Sequence, residues 1–90
     1  MPELLHLLVY EYVEDMTERR APHREAHLEL IRRYQSDGRC VIAGGLGVPV
    51  HGGLLAFREA ADAEAFAAED PYQAAGLVVS SRVEPWAVVT

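Results

Sequence analysis

The stretch Leu4-Leu5-His6-Leu7-Leu8-Val9-Tyr10-Glu11-Tyr12-Val13 is the key to this chain. Its Leu, Val and Tyr content predicts a strand. Side chains alternate across a strand, so Leu5, Leu7 and Val9 point one way, and His6, Leu8, Tyr10 and Tyr12 point the other. Neither set is polar enough for a wet face, so both faces have to be covered. A chain of 90 residues is too short to cover both itself. The strand therefore predicts a homodimer in which the second face is buried against a mate.

Outward from this strand, Glu14-Asp15 ends it and Thr17 can open a first helical turn. Pro22 disfavours helical geometry at Ala21, which predicts a kink or restart there. From Pro22 to about Ser36 the pattern is helical, with His27, Leu30, Ile31 and Tyr34 forming the apolar stripe and Gly38 as the stop. Arg39 to Ala43 reads as a second strand and Leu54 to Arg58 as a third. Between them Gly44 to Gly53 carries five glycines and Pro49, and reads as a loop rimming a pocket. Ala60 to Glu69 is an alanine-rich helix ended by Pro71, and Tyr72 to Ala75 adds a turn. Leu77 to Val89 is a last strand, interrupted near Pro85. The order strand–helix–strand–strand–helix–strand is that of an α+β, ferredoxin-like βαββαβ fold with an antiparallel four-stranded sheet. One domain over residues 1–90 is expected.

Charge and cysteine content narrow the function. Fourteen acidic groups against eight arginines give a net charge of −6, and lysine is absent. That argues against nucleic acid or an anionic membrane surface, both of which need a basic patch. Several arginines, Arg19, Arg20, Arg24, Arg32 and Arg33 among them, cluster on the first helical region, which leaves room for a local anion pocket. A single cysteine, Cys40, excludes an internal disulfide and a multi-cysteine metal site, and reads as a small buried hydrophobe. No apolar run is long enough to span a membrane. The N-terminal stretch lacks the pattern of a signal peptide, so a cytoplasmic location is expected.

The candidate chemistry lies in Arg24-Glu25-Ala26-His27-Leu28 and Ala68-Glu69-Asp70-Pro71-Tyr72. His27 sits in the stripe that faces the sheet. It is either a buried histidine satisfied by a backbone or carboxylate partner, or a group placed to move a proton near neutral pH. Asp70 beside Pro71 either shapes a turn or orients that imidazole, since the two helices of this fold run antiparallel on one sheet face. His23 and His27, four residues apart, could share a helix face. Arg24 stands where a zincin has its glutamate, and no third ligand is evident, so no metal and no other cofactor are expected. Tyr10, Tyr12, Tyr72 and Trp86 could stack on an aromatic ligand or serve core and interface packing.

The matching pieces Arg24-Glu25-Ala26-His27-Leu28, Ala43-Gly44, Asp70-Pro71-Tyr72 with Gly76-Leu77, and Val83-Glu84-Pro85-Trp86 resemble the YciI-like (YCII-related) family over nearly the whole chain. The resemblance implies a dimeric α+β barrel, with His27 and Asp70 at the family's catalytic dyad positions. It also implies lyase or isomerase chemistry on small phenolic, quinol or lactone-like compounds. A proline often follows Ala-Gly in that family, whereas Gly45 follows Ala43-Gly44 here.

These readings make His27 the general acid or base and Asp70 its orienting partner, with Arg24, Tyr72 and Tyr10 as substrate-binding residues. Two alternatives stand beside them: a non-catalytic dimeric module that binds a small ligand or a partner protein, and a cofactor-free monooxygenase. A closed, dry space around His27 would favour the non-catalytic module.

Overall fold

In the computed structural model, which describes residues 3–90, the apolar run is strand β1, Glu3–Tyr12. It is followed by α1 (Met16–Arg19), a 3-10 turn at Ala21–His23, and α2 (Arg24–Ser36). Then come β2 (Cys40–Leu46), β3 (Gly52–Phe57), α3 (Ala60–Glu69), α4 (Pro71–Ala74) and β4 (Val78–Val88). The strands form one antiparallel sheet in the order β2-β3-β1-β4. This is the ferredoxin-like arrangement that the element order predicts.

The helices start and stop for local reasons. Pro22 lies in the 3-10 turn, and α2 restarts at Arg24. Gly38, at φ 84°, takes the left-handed conformation that ends the helix. Of the predicted stripe, His27, Leu30 and Tyr34 are buried and Ile31 is half-buried. Helix α3 contributes Ala63 and Phe66. These meet Leu8 and Tyr10 of β1, Cys40 of β2, and Leu55 and Phe57 of β3 in one core. A smaller cluster of Met16, Tyr72 and Leu77 closes the end of the domain nearest α4. Burying side chains of this size contributes roughly 1.5–3 kcal/mol each.

Two boundaries differ from expectation. The glycine-rich stretch is mostly strand: Gly44 and Gly45 lie in β2 and Gly52 and Gly53 in β3, leaving Gly47–His51 as the turn. Three of these glycines are there because neighbours come close. A Cβ on Gly52 would lie 2.7 Å from the Tyr10 carbonyl oxygen. One on Gly53 would lie 2.5 Å from the Tyr12 hydroxyl, and one on Gly45 would lie 2.9 Å from Val50 Cγ2. Strand β4 also runs unbroken through Pro85, which pairs opposite His6. An edge strand accommodates proline because one row of its amides has no neighbouring strand. The irregularity falls instead between Glu11 and Tyr12, opposite β4.

The helices cover only the Leu8–Tyr10 side of the sheet. On the other side lie Leu7, Val9 and Leu54, half-buried, with Ile42 63% exposed and Trp86 43% exposed. Among the described residues no helix is long and apolar enough to cross a membrane.

Candidate active site

Asp70 occupies the joint between α3 and α4. Pro71 halts the first helix and opens the second, and Asp70 caps it by accepting from the Tyr72 amide at 3.0 Å. The turn-shaping reading of Asp70 is therefore seen directly. The carboxylate that shapes the turn also meets His27, one packed helix away. His27 Nδ1 lies 2.7 Å from Asp70 Oδ1, and both side chains are buried. The Tyr10 hydroxyl donates to the other oxygen, Oδ2, at 2.8 Å. Three donors thus converge on one carboxylate, which acts as acceptor only. Nδ1 of His27 must then carry the proton, and Nε2 is the nitrogen left for other work.

Aromatic rings fix the imidazole. It stacks on Tyr72 at 3.7 Å and 7°, with Phe66 edge-on at 6.1 Å. Tyr72 in turn meets Tyr12 edge-on at 5.9 Å. Burial and the nearby Asp70 charge push the Tyr10 and Tyr12 hydroxyls well above the ordinary tyrosine range. Burial also raises Tyr72, an effect that Arg20 and Arg24 offset only in part.

His27, Arg24 and Tyr72 all line an open cleft of about 380 Å³ between α2 and the β2–β3 hairpin. Tyr10, expected to touch substrate, does not line it. It is fully buried behind Asp70, because its side chain leaves β1 on the helix-covered face. The cleft also takes in Tyr12, one of the four rings the sequence offered for stacking on a ligand, and Arg20, which the sequence reading did not place at the site. Arg20 precedes Arg24 by one helical turn's spacing, but Pro22 between them breaks the periodicity that would reveal a shared face. His23 lies in the 3-10 turn, half-buried, and among the described residues no three His, Cys, Asp or Glu side chains converge as metal ligands would. Cys40 is buried in the core, and burial pushes its thiol up to about 11.

The comparisons with known proteins agree with this architecture. The family model described as the YCII-related domain matches residues 4–87. No curated protein matches the chain. Among solved structures, the chain is similar to 5-chloro-2-hydroxyhydroquinone dehydrochlorinase (TftG) from Burkholderia phenoliruptrix AC1100 in complex with 2,5-dihydroxybenzoquinone. The TM-score is 0.74 at 20% identity, covering 91% of this chain and 92% of that one. At that identity the likeness shows a shared fold.

Proposed function

The chain belongs to the YCII-related family, and on that premise we propose that it is a cofactor-independent acid–base enzyme. Its substrate would be a small phenolic, quinol or lactone-like compound, and its chemistry of the lyase or isomerase type. The observation that carries this reading is the geometry of His27. Its Nδ1 is tied to the buried Asp70, while the ring borders an open cleft. An imidazole held this way presents Nε2 as a base of fixed tautomer, and the carboxylate behind it stabilises the positive charge the ring gains on taking a proton.

In the proposed step the Nε2 lone pair takes a proton from a substrate hydroxyl or activated C–H. The electrons released move into the ring or the adjacent double bond. They either expel a substituent as an anion or shift the double bond, in which case Nε2–H returns the proton at a new carbon. Arg24 and Tyr72, beside His27 in the cleft wall, would hold the substrate. Tyr10 would steady Asp70 and not touch the substrate. The dehydrochlorinase of the same fold, bound to a quinone-type ring, supports a phenolic or quinol substrate. His27, though itself buried, lines an open cleft and not a closed, dry space, which supports catalysis over a non-catalytic dimeric module. A monooxygenase would differ by consuming oxygen with a hydroquinone.

We also propose that the protein works as a homodimer joined through the bare sheet face, where Leu7, Val9, Leu54 and the exposed Ile42 and Trp86 form an apolar surface. Light scattering should give twice the 9.9 kDa of one chain. A mass of one chain at micromolar concentration would refute it.

A thermal-shift and turnover screen of catechols, hydroquinones, lactones and small acids tests the enzymatic reading. A substrate should be converted by the wild type and about 10²–10⁴-fold more slowly by His27→Ala, the usual contribution of a positioned base. Equal rates for the two proteins would remove His27 from the chemistry. The same turnover after metal removal is expected; its loss would overturn the cofactor-free mechanism.

A further inference from the structure

The mouth of the cleft holds more positive charge than a proton transfer at His27 uses. In a chain of net charge −6, Arg20, Arg24 and Arg32 line this cleft and no Asp or Glu does. Arg32 is engaged by Glu25 at 3.2 Å and Glu29 at 3.0 Å. Arg33, Arg39, Arg58 and Arg82 also have carboxylate partners. Among the described residues, Arg19, Arg20 and Arg24 have none, and of these Arg20 and Arg24 line the cleft. In so acidic a chain, two cleft-lining guanidiniums without a carboxylate point to an anion supplied from outside.

A second observation falls at the same place. The Tyr72 hydroxyl is the one buried side-chain polar atom without a hydrogen-bond partner among the described residues, and Tyr72 is only 1% exposed. Buried hydroxyls are almost always paired; the nearby Arg24 guanidinium can only donate, so the hydroxyl's own proton has no acceptor among the described residues and points to one supplied from outside. Burial, the largest influence on this hydroxyl, holds it above the ordinary tyrosine range, while Arg20 and Arg24 are near enough to lower it in part, so it keeps its proton as a donor. The two arginines act on the Tyr12 hydroxyl in the same way.

We infer that Arg20, Arg24 and the Tyr72 hydroxyl form a carboxylate-binding subsite, and that the substrate is a ring compound carrying a carboxylate next to the group that meets His27. The guanidinium fork matches a planar carboxylate, and charge-assisted bonds of this kind are the strong ones. The hydroxyl supplies a further donor. The Tyr72 and His27 rings are stacked at 3.7 Å, so the subsite adjoins the proposed base. A cleft of about 380 Å³ suits a single substituted ring. The placement of the carboxylate beside the reacting group rests on the acid–base reading above; the subsite itself does not.

The test is calorimetric binding of two matched probes, 2,5-dihydroxybenzoate and hydroquinone, to the wild type and to R20Q, R24Q, the double variant and Y72F. The benzoate should bind the wild type about tenfold or more tightly, as one or two hydrogen bonds to a charged group give. That preference, read as the ratio of the two affinities in each variant, should fall about tenfold in R24Q and in R20Q and several-fold in Y72F, whatever each variant does to hydroquinone binding itself. Y72F removes one oxygen and leaves the stacked ring in place, so it reads the hydroxyl without disturbing the fold. Equal affinity for the two probes, a preference that survives in the double variant, or no binding of the benzoate at millimolar concentration would each overturn the inference. Binding is read apart from turnover. A preserved carboxylate preference with no turnover by the wild type defeats the acid–base reading alone. Turnover that depends on His27 without a carboxylate preference defeats the subsite alone.

Discussion

The Tyr10 hydroxyl donates a 2.8 Å hydrogen bond to Asp70 Oδ2, joining the C-terminal end of β1 to the joint between α3 and α4. Asp70 thereby has donors on both oxygens, with His27 Nδ1 and the Tyr72 amide on Oδ1. Tyr10 cannot reach the cleft. In the proposed reaction its part would be to hold the carboxylate that holds the imidazole.

Tyr10→Phe should therefore destabilise the protein by about 1–2 kcal/mol, the usual effect of losing one partner of a buried hydrogen bond. Urea unfolding measures this. If the bond also orients the dyad, the pH–rate profile of the variant should move. A loss of stability with an unmoved profile would make Tyr10 purely structural.

Asp70→Ala should be far more damaging to stability. It leaves the Tyr10 hydroxyl, the Tyr72 amide and His27 Nδ1 without their acceptor, at about 1–3 kcal/mol for each stranded group. A total above about 3 kcal/mol is expected by urea unfolding. Asp70→Asn keeps an acceptor oxygen and should fold better. It can stabilise neither the required tautomer nor the charged ring as the carboxylate does, so turnover should still fall by about 10²–10⁴-fold.

Gly52→Ala should cost about 1–3 kcal/mol, because the new methyl would press on the Tyr10 carbonyl oxygen at 2.7 Å, and backbone cannot swing away. Gly44→Ala is the control. Its Cβ would meet nothing within 4 Å, so its effect should stay within about 0.5 kcal/mol. Comparable losses in both variants would show that strand propensity, not close approach, selects glycine in the hairpin.

Stability should fall as pH rises above about 9. Cys40 keeps its proton to about 11 in the folded chain, against 9.0 when unfolded. Tyr10 and Tyr12 are held above their unfolded value of 10.0. Between those limits the unfolded chain binds fewer protons than the folded one, so the stability fully present below pH 9 is lost as pH climbs. Melting temperatures across that range check the slope. Phenolate absorbance from two of the four tyrosines should appear only with unfolding. Its appearance in the folded protein at pH 10 would contradict the burial of Tyr10 and Tyr12.

Local pattern made much of the molecule readable beforehand. The stripe His27, Leu30, Ile31 and Tyr34 follows from a 3.6-residue period, and the ends at Gly38 and Pro71 from the backbone chemistry of those residues. The approach of His27 and Asp70 also follows from topology, since two antiparallel helices on one sheet face bring the end of one beside the start of the other. The Gly44–Gly53 stretch misled because glycine serves two purposes. Freedom of φ marks a turn, whereas absence of a Cβ marks a close neighbour, and only the neighbour distinguishes them.

What the sequence determined by itself was the βαββαβ order, the helix face that carries His27, and the two-sided apolar character of β1. All of these are properties of residues a few positions apart, where period and propensity act. The tertiary structure decided that Tyr10 bonds Asp70 and stays out of the cleft wall, that Arg20 joins Arg24 across the Pro22 break, and that the Tyr72 hydroxyl is buried without an acceptor for its proton. Each of those depends on strand register and helix packing bringing together groups distant in the chain. A hydrogen bond tolerates only tenths of an ångström, and no periodicity in the sequence encodes distance at that precision.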